Sequence, residues 1–225
     1  MRPDLVIFDC DGVLVDSEPI SLGLLRDTIA ASGLDLSLET VRGEFQGRSL
    51  PAVVTRLREA HDHAVPPDAL AAMGEELLRR FSRDLRPVRG MRALVRQLGC
   101  RRCVASSSHT RRLRHSLAVA GLADLFGPHV FSADAVARGK PAPDLFLHAA
   151  ARMGVAPERC AVVEDSVPGI EAARAANMRA LGFAGGSHVT EASADDLRRV
   201  GAETVARSAE ALRALLPQRA DQQAQ

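Results

Sequence analysis

Carboxylate pairs follow two short apolar runs of this sequence, where charged groups are costly without a partner. The pairs are Asp9 and Asp11 after the run Leu5–Phe8, and Glu164 and Asp165 after the run Cys160–Val163. Burying carboxylates beside an apolar strand is unfavourable unless a cation or hydrogen-bond donors compensate them. Carboxylate oxygens are also the ligands that Mg²⁺ prefers. The spacing therefore predicts a magnesium site at the ends of these runs.

A cluster of hydroxyls and the only lysine of the chain complete this set. The hydroxyls are Ser106, Ser107 and Ser108, which follow the apolar run Cys103–Ala105. Lys140 lies in a loop that glycine and proline stiffen, directly before a helix. Each residue alone has an ordinary explanation, Asp9 as a turn cap, Ser106 as a helix cap and Lys140 as solvated surface. Together, a hydroxyl and an ammonium beside carboxylates predict an anion site next to the Mg²⁺ site.

The elements that must position these residues alternate between strands and helices. The predicted strands are Leu5–Phe8, Cys103–Ala105, Cys160–Val163 and Arg179–Phe183. The predicted helices between or after them are Met91–Leu98, Thr110–Ala120, Pro143–Met153 and Pro168–Asn177. This order is typical of parallel βαβ units, so the predicted fold class is α/β. Ligands bind outside the carboxyl ends of strands in such sheets, where the carboxylates, Ser106 and Lys140 belong.

The alternation is interrupted after the first strand by a long stretch with helical patterns alone. Its predicted helices are Pro19–Ser32, Leu38–Phe45, Leu50–His61 and Pro67–Ser82. We therefore expect a smaller helical domain over residues 17–85, inserted into a catalytic core of residues 1–16 and 86–216. The polar segment 217–225 is predicted to be a frayed tail.

Composition excludes several classes of function. The 225 residues correspond to about 1.5 average domains, and 29 basic against 28 acidic side chains leave a net charge of +1. No global field attracts nucleic acid or anionic lipid, and the absence of Trp and Tyr disfavours base stacking. The four cysteines are too scattered for a disulfide scaffold or a zinc site, so we expect unpaired thiols. With no signal-peptide pattern or membrane-helix pattern, the sequence predicts a cytoplasmic protein without nucleic-acid or membrane partners.

Four motifs occur in a recognisable order: Asp9-Cys10-Asp11-Gly12, Ser106, Lys140 and Glu164-Asp165. In these motifs the chain resembles the phosphohydrolases of the haloacid dehalogenase superfamily. It is most similar to the β-phosphoglucomutase-like phosphatases that have a small helical cap. The resemblance extends from Asp4 to about Phe183. It implies a Rossmann-like parallel-sheet core, with the inserted helices of residues 17–85 as a mobile cap.

The resemblance also implies a role for each motif residue. Asp9 would be a nucleophile that forms an aspartyl-phosphate, and Asp11 would protonate the leaving oxygen and then deprotonate water. Ser106 would donate a hydrogen bond to a phosphoryl oxygen, and Lys140 would neutralise charge on the nucleophile and the phosphate. The implied Mg²⁺ ligands are the Asp9 carboxylate, the Asp11 backbone carbonyl and Asp165, with Glu164 binding directly or through water.

Further residues are expected to contact the substrate. Glu18 and Ser21 begin the first cap helix and should face the cleft, while Ser107 and Ser108 should complete the phosphate cradle. Gly47 and Arg48 lie in a cap loop where the family's substrate-reading residues lie. An exposed loop arginine with no ligand is an equally good interpretation of Arg48.

The predicted function is a Mg²⁺-dependent phosphatase, acting as a monomer or weak homodimer. Its substrate would be a small phosphorylated metabolite, a sugar or sugar-acid phosphate such as 6-phosphogluconate. A β-phosphoglucomutase-type phosphotransferase is the alternative, although Ser21 and Leu50 stand where the mutases have a histidine and an arginine. A non-catalytic binding protein would have degraded motifs, and no motif is degraded here. A Schiff-base hydrolase is disfavoured because Lys140 is the only lysine.

Overall fold

A six-stranded parallel sheet forms the centre of the protein in a computed structural model that describes residues 2–218. The strands are β1 (Leu5–Phe8), β2 (Arg101–Ser106), β3 (Val130–Ser132), β4 (Cys160–Glu164), β5 (Arg179–Phe183) and β6 (Thr204–Ala206). Their order across the sheet is β3-β2-β1-β4-β5-β6, and each neighbouring pair is parallel. The predicted α/β fold with a Rossmann-like core is confirmed.

The helices fall into two groups along the chain. Between β1 and β2 lie α1 (Glu18–Ala31), α2 (Leu38–Phe45), α3 (Leu50–His61), α4 (Pro67–Asp84) and α5 (Met91–Gln97). The later helices are α6 (Thr110–Val119), α7 (Ala123–Phe126), α8 (Asp144–Met153), α9 (Val167–Ala175), α10 (Glu191–Arg199) and α11 (Ala209–Leu215). Two short 3₁₀ turns span Ala133–Ala135 and Pro157–Arg159.

Both faces of the sheet are buried, which explains the uninterrupted apolar runs of the central strands. Val6 and Phe8 belong to one apolar cluster, and Leu5 and Ile7 belong to a second. Successive side chains of a strand point to opposite faces, so β1 contributes alternately to the two clusters. Helices α1 to α4 contribute to a third cluster of their own, which includes Ile29 and Leu57.

The structure contains elements that the sequence patterns did not predict. They are β3, α7, α10, β6 and α11. Strands β3 and β6 have three residues each and lie at the two edges of the sheet, so they lack a long apolar run. The predicted frayed tail begins at Pro217, but the Pro217 carbonyl accepts a 3.0 Å hydrogen bond from Gly99 N–H, and Gln218 pairs with Leu98. The rest of the predicted tail, residues 219–225, lies outside the described residues.

The cysteines are all unpaired, as the sequence predicts. Cys10, Cys103 and Cys160 are buried, and Cys100 is half-buried. Burial raises the pKa of the Cys103 and Cys160 thiols, to about 11 for Cys160. Within residues 2–218, no helix has the length and apolar character to cross a membrane.

Candidate active site

The register of the sheet brings three strand ends to one edge. Phe8 lies opposite Val104 of β2 and Val163 of β4, so the residues that follow them emerge side by side. The side chains gathered there are buried, with residue exposures of 6% or less: Asp9, Ser106, Lys140, Glu164 and Asp165. The structure therefore brings together residues of all four motifs.

Lys140 links the carboxylates of two strands. Its Nζ donates to Asp9 Oδ1 at 2.5 Å and to Glu164 Oε1 at 2.6 Å. It also donates to the Ala105 carbonyl at 3.3 Å and lies 4.9 Å from the centroid of the Phe146 ring. Burial by itself would lower the pKa of Lys140, but the two carboxylates outweigh burial and raise it. Lys140 is therefore a charged donor held against Asp9.

Asp9, Glu164 and Asp165 form a cluster of acidic groups. One oxygen from each carboxylate lies within 4.8 Å of the others. Burial and the neighbouring negative charges raise the pKa values of Asp9 and Asp165 despite the ammonium of Lys140. Buried, mutually repelling carboxylates with hard oxygen donors suit a divalent cation such as Mg²⁺.

Glu164 has other partners for both carboxylate oxygens. Oε1 accepts from Lys140, and Oε2 accepts from the backbone N–H groups of Asp165 and Ser166 and from Ser166 Oγ, at 2.9–3.0 Å. Gly169 packs so closely that a Cβ added there would lie 1.9 Å from the Glu164 carboxyl carbon. Glu164 is thus fixed as a support of Lys140, and Asp9 and Asp165 are better placed as direct cation ligands.

Asp11 has a contrasting environment, rich in hydrogen-bond donors. Its Oδ1 accepts from Ser17 Oγ at 2.6 Å and from Arg112 Nη2 at 2.9 Å. Its Oδ2 accepts from Ser108 Oγ at 2.7 Å, with Ser106 Oγ at the longer distance of 3.5 Å. Burial by itself would raise the pKa of Asp11, but the Arg112 guanidinium and the hydroxyls lower it. Asp11 is therefore a carboxylate held in its ionised form.

A cavity lies between the strand ends and the helical insertion, and residues of α1 line it from the insertion side. Glu18 and Ser21 line it together with Asp9 and Asp11. Burial and the charges of Asp165 and Asp11 raise the pKa of Glu18 to about 8. Ser21 Oγ accepts a 3.1 Å hydrogen bond from Arg112 Nη2.

The loop between α2 and α3 closes onto the strand ends. The Gly47 carbonyl accepts a 3.1 Å hydrogen bond from Ser107 Oγ, and Gly47 has a φ of +74°. A Cβ at this position would lie 2.4 Å from Ser166 Oγ, so only glycine allows this approach. Arg48 lines the cavity while its Nε donates to the Glu44 carbonyl at 2.9 Å. The loop is therefore seated directly over the acidic cluster.

Four residues in the site were missed by the sequence analysis. Gln46 Nε2 donates to Asp165 Oδ2 at 3.1 Å, and His188 Nε2 lies 2.9 Å from the same oxygen. Ser17 and Arg112 bind Asp11. His188 could have been predicted as a site residue, because it follows the carboxyl end of β5 as the motif residues follow other strands. Arg112 could not have been predicted as a site residue, because nothing in the sequence distinguishes it from the other arginines of α6.

Comparison with known proteins gives concordant matches. Residues 3–177 match a family model described as haloacid dehalogenase-like hydrolase. The 6-phosphogluconate phosphatase of Escherichia coli K12 is 31% identical over 188 residues, covering 83% of this chain and 85% of the relative. The fructose-1-phosphate phosphatase of the same organism is 34% identical over 178 residues, covering 78% of this chain and 94% of the relative.

Solved structures agree over nearly the whole chain. A haloacid dehalogenase-like protein of unknown function from Agrobacterium tumefaciens C58 is 40% identical with a TM-score of 0.81, covering 94% of this chain and 96% of its own. A hydrolase from Deinococcus radiodurans R1, solved with bound phosphate and sodium, is 36% identical with a TM-score of 0.75 and 95% coverage of both chains.

Proposed function

We propose that this chain, which belongs to the haloacid dehalogenase-like hydrolases, is a Mg²⁺-dependent phosphatase of small phosphorylated metabolites. The observation that carries the proposal is the contrast between Asp9, held by Lys140 in an acidic cluster, and Asp11, held by hydroxyls and Arg112. Two relatives are named phosphatases of sugar or sugar-acid phosphates. The enzyme class that these matches support is a phosphoric monoester hydrolase.

Asp9 is the nucleophile of the proposed reaction. A carboxylate oxygen of Asp9 attacks phosphorus, an Asp9–phosphorus bond forms, and the bond to the alcohol oxygen breaks. Lys140 and Ser106 stabilise the negative charge that develops on the phosphoryl group. Water then attacks the aspartyl-phosphate, which releases inorganic phosphate and restores Asp9. Dividing hydrolysis in this way replaces one difficult step with two easier ones.

Asp11 moves the protons of both steps. It donates a proton to the leaving alcohol oxygen and later accepts one from the attacking water. Its position two residues after Asp9 puts both carboxylates at the end of β1, on the same cavity. The donors around Asp11 in this structure stabilise its ionised form, which suits the second of these steps. For the first step, Asp11 must take up a proton from solvent before the ester bond breaks, and this proton then passes to the leaving oxygen.

Asp9 and Asp165 would hold Mg²⁺, with the Asp11 backbone carbonyl as a further ligand. Glu164 would act indirectly, through its hydrogen bond from Lys140. When bound, Mg²⁺ supplies positive charge that offsets the phosphoryl oxygens and the crowded carboxylates. Gln46 and His188 position Asp165 through its Oδ2.

The helical insertion of residues 17–85 is proposed to be a cap that selects the substrate. Glu18, Ser21, Gly47 and Arg48 line the cavity from this side. The hydrogen bond from Ser107 Oγ to the Gly47 carbonyl joins the cap loop to the core. The proposed substrates are sugar or sugar-acid phosphates, with 6-phosphogluconate and fructose 1-phosphate as first choices because relatives are named for them.

The test is a phosphate-release screen of phosphorylated metabolites with the purified protein and Mg²⁺. We expect hydrolysis of several sugar phosphates, loss of activity in EDTA, and recovery when Mg²⁺ is restored in excess. Full activity in excess EDTA would contradict the metal dependence. The Asp9→Asn variant is the control for contaminating phosphatases, since it should be inactive.

The mutase alternative has its own diagnostic assay. The protein is incubated with Mg²⁺, β-glucose 1-phosphate and a trace of glucose 1,6-bisphosphate. A hydrolase releases inorganic phosphate from the ester. Rapid formation of glucose 6-phosphate with little inorganic phosphate would contradict our proposal and support a phosphotransferase.

A further inference from the structure

The positively charged side chain of Arg112 lines the cavity. The proposed reaction gives it a contact with Asp11 but no contact with the substrate. Arg112 lies in the first turn of α6, and its side chain is 27% exposed, on the wall shared with Asp9 and Asp11. In the proposed reaction, Lys140 compensates the nucleophile and the phosphoryl group. The guanidinium of Arg112 therefore calls for a separate explanation.

The contacts of Arg112 join the core to two helices of the cap. Its Nη2 donates to Asp11 Oδ1 at 2.9 Å and to Ser21 Oγ of α1 at 3.1 Å. Its guanidinium carbon lies 5.3 Å from the centroid of the Phe81 ring of α4. A cation over an aromatic face is attracted by the ring quadrupole. These three contacts fix the guanidinium plane beside the cavity.

Only part of the donor capacity of this guanidinium is used. Both hydrogen bonds come from Nη2. Within residues 2–218, neither Nε nor Nη1 has an acceptor, and of these two nitrogens only Nε is buried. A guanidinium carries five N–H donors in a planar fork that matches oxygen pairs. The free N–H groups of Nη1 are therefore the ones that a ligand oxygen can meet, and a hydrogen bond from a charged donor is stabilising.

The position of Arg112 restricts which substrate oxygen it can reach. A general acid lies within about 3 Å of the oxygen that it protonates. Arg112 Nη2 is 2.9 Å from an oxygen of Asp11, the proposed acid. The guanidinium therefore lies within about two hydrogen-bond lengths of the ester oxygen. An oxygen on the carbon next to the phosphorylated carbon falls in this range and lies nearest to the ester oxygen.

We propose that Arg112 is a specificity-determining residue that binds a hydroxyl or carboxylate oxygen on the carbon adjacent to the phosphorylated carbon. This inference rests on the proposed phosphatase function. It explains a preference for sugar and sugar-acid phosphates as a class, because nearly all of them carry such an oxygen. Selection among individual sugars then falls to residues farther from the ester, such as those of the α2–α3 loop.

The test compares three phosphate esters that differ at this carbon alone. Ethyl phosphate has a methyl group there, 2-hydroxyethyl phosphate has a hydroxymethyl group, and phosphoglycolate has a carboxylate. The values of kcat/KM are measured for the wild-type enzyme and for Arg112→Met. Arg114→Met, an exposed arginine of the same helix, is the matched control. Intrinsic differences in leaving-group reactivity cancel when the ratios are compared between variants.

The expected result is a change in selectivity. In the wild-type enzyme and in Arg114→Met, at least one oxygenated ester should be preferred over ethyl phosphate. In Arg112→Met this preference should fall about 10- to 100-fold, the range for hydrogen bonds to a charged donor. The ester whose advantage falls more identifies the hydroxyl or the carboxylate as the group bound.

Other outcomes separate the two proposals. An equal loss on all three esters in Arg112→Met would show that Arg112 acts through Asp11 alone and would overturn this inference. If Arg112→Met does not fold, as judged by circular dichroism, Arg112→Lys answers the same question, because it keeps the charge and loses the planar fork. Absence of phosphate release from every metabolite with the wild-type enzyme would instead overturn the proposed function.

Discussion

Asp9 and Asp11 are separated by one residue, yet they lie in opposite electrostatic surroundings. Asp9 faces Glu164 and Asp165 with Lys140 as its cation, and burial raises its pKa. Asp11 accepts hydrogen bonds from hydroxyls and from Arg112, which lower its pKa in spite of burial. The difference shows that one strand end can place two carboxylates in surroundings suited to different chemistry. Asp9 lies among further carboxylates that share a single ammonium, whereas Asp11 is compensated by several hydrogen-bond donors.

The two surroundings also come from different parts of the chain. The Asp9 surroundings are built by β1, by the end of β4 and by the loop before α8. The Asp11 surroundings include Ser17 at the start of the helical insertion and Arg112, which contacts helices α1 and α4 of that insertion. We therefore expect the Asp9 side to control chemistry and metal binding, and the Asp11 side to respond to the cap and to the substrate.

The largest effect is expected when Lys140, the cation that pairs with Asp9, is replaced. In Lys140→Met, the carboxylates of Asp9 and Glu164 remain buried without the ammonium that bridges them. We expect a loss of about 10³-fold in kcat/KM and a fall of about 3–5 kcal/mol in the free energy of unfolding. Enzyme assays and urea unfolding at pH 7 measure the two changes.

Arg138→Met is the matched control for Lys140→Met. Arg138 lies in the same loop, but its side chain is 71% exposed and pairs with Asp144 outside the site. We expect little change in activity or unfolding. If Lys140→Met behaved like this control, the buried ion pairs would not be needed for the site.

A smaller effect is expected when Asp11 itself is replaced. Asp11→Asn removes the proposed acid, so phosphorylation of the enzyme by an alkyl ester should slow about 10²-fold or more. Acetyl phosphate needs no proton on its leaving group, and its phosphorylation step should change little. Rapid-quench measurements of that step compare the two donors. Equal losses on both would contradict the role of Asp11 as the acid.

The smallest effect concerns Glu18, which lies between the two sides. Its pKa is about 8 in the folded protein, because burial and the charges of Asp165 and Asp11 oppose its ionisation. The folded state therefore holds a proton that the unfolded state releases above its usual pKa of 4.5. By linkage, this group makes the metal-free protein less stable as the pH rises from about 4.5 to 8.

Glu18→Gln removes this dependence because the amide does not titrate. We expect the free energy of unfolding in EDTA to fall less steeply with pH in the variant than in the wild type, by about 1.4 kcal/mol per pH unit at most. Chemical unfolding between pH 5 and 8 gives both slopes. Parallel slopes would mean that Glu18 ionises normally.

The sequence was sufficient for the family and for predicting which residues lie together at one edge of the sheet. The family resemblance and the parallel α/β sheet are confirmed. Asp9 and Glu164 could be identified because each lies at the end of an uninterrupted apolar strand. Lys140 could be identified because it is the only lysine and lies in a stiff loop.

The remaining features depend on distances that a linear pattern does not contain. That Lys140 bridges Asp9 and Glu164 follows only from the register of β1 and β4. Arg112 is distinguished from the other arginines of α6 by the direction of its side chain alone. The short edge strands have too few apolar residues to produce a periodic pattern, so their positions became clear only in the folded sheet.

The central claim is that Asp9 carries the phosphoryl group. The most direct measurement uses Asp11→Asn, in which dephosphorylation is slow because the base that activates water is missing. The variant is mixed with acetyl phosphate and Mg²⁺, quenched in acid, and analysed by peptide fragmentation in a mass spectrometer. The prediction is one phosphoryl group on Asp9, absent from the Asp9→Asn/Asp11→Asn double variant. A phosphoryl group on any other residue, or turnover that persists in Asp9→Asn, would contradict the claim.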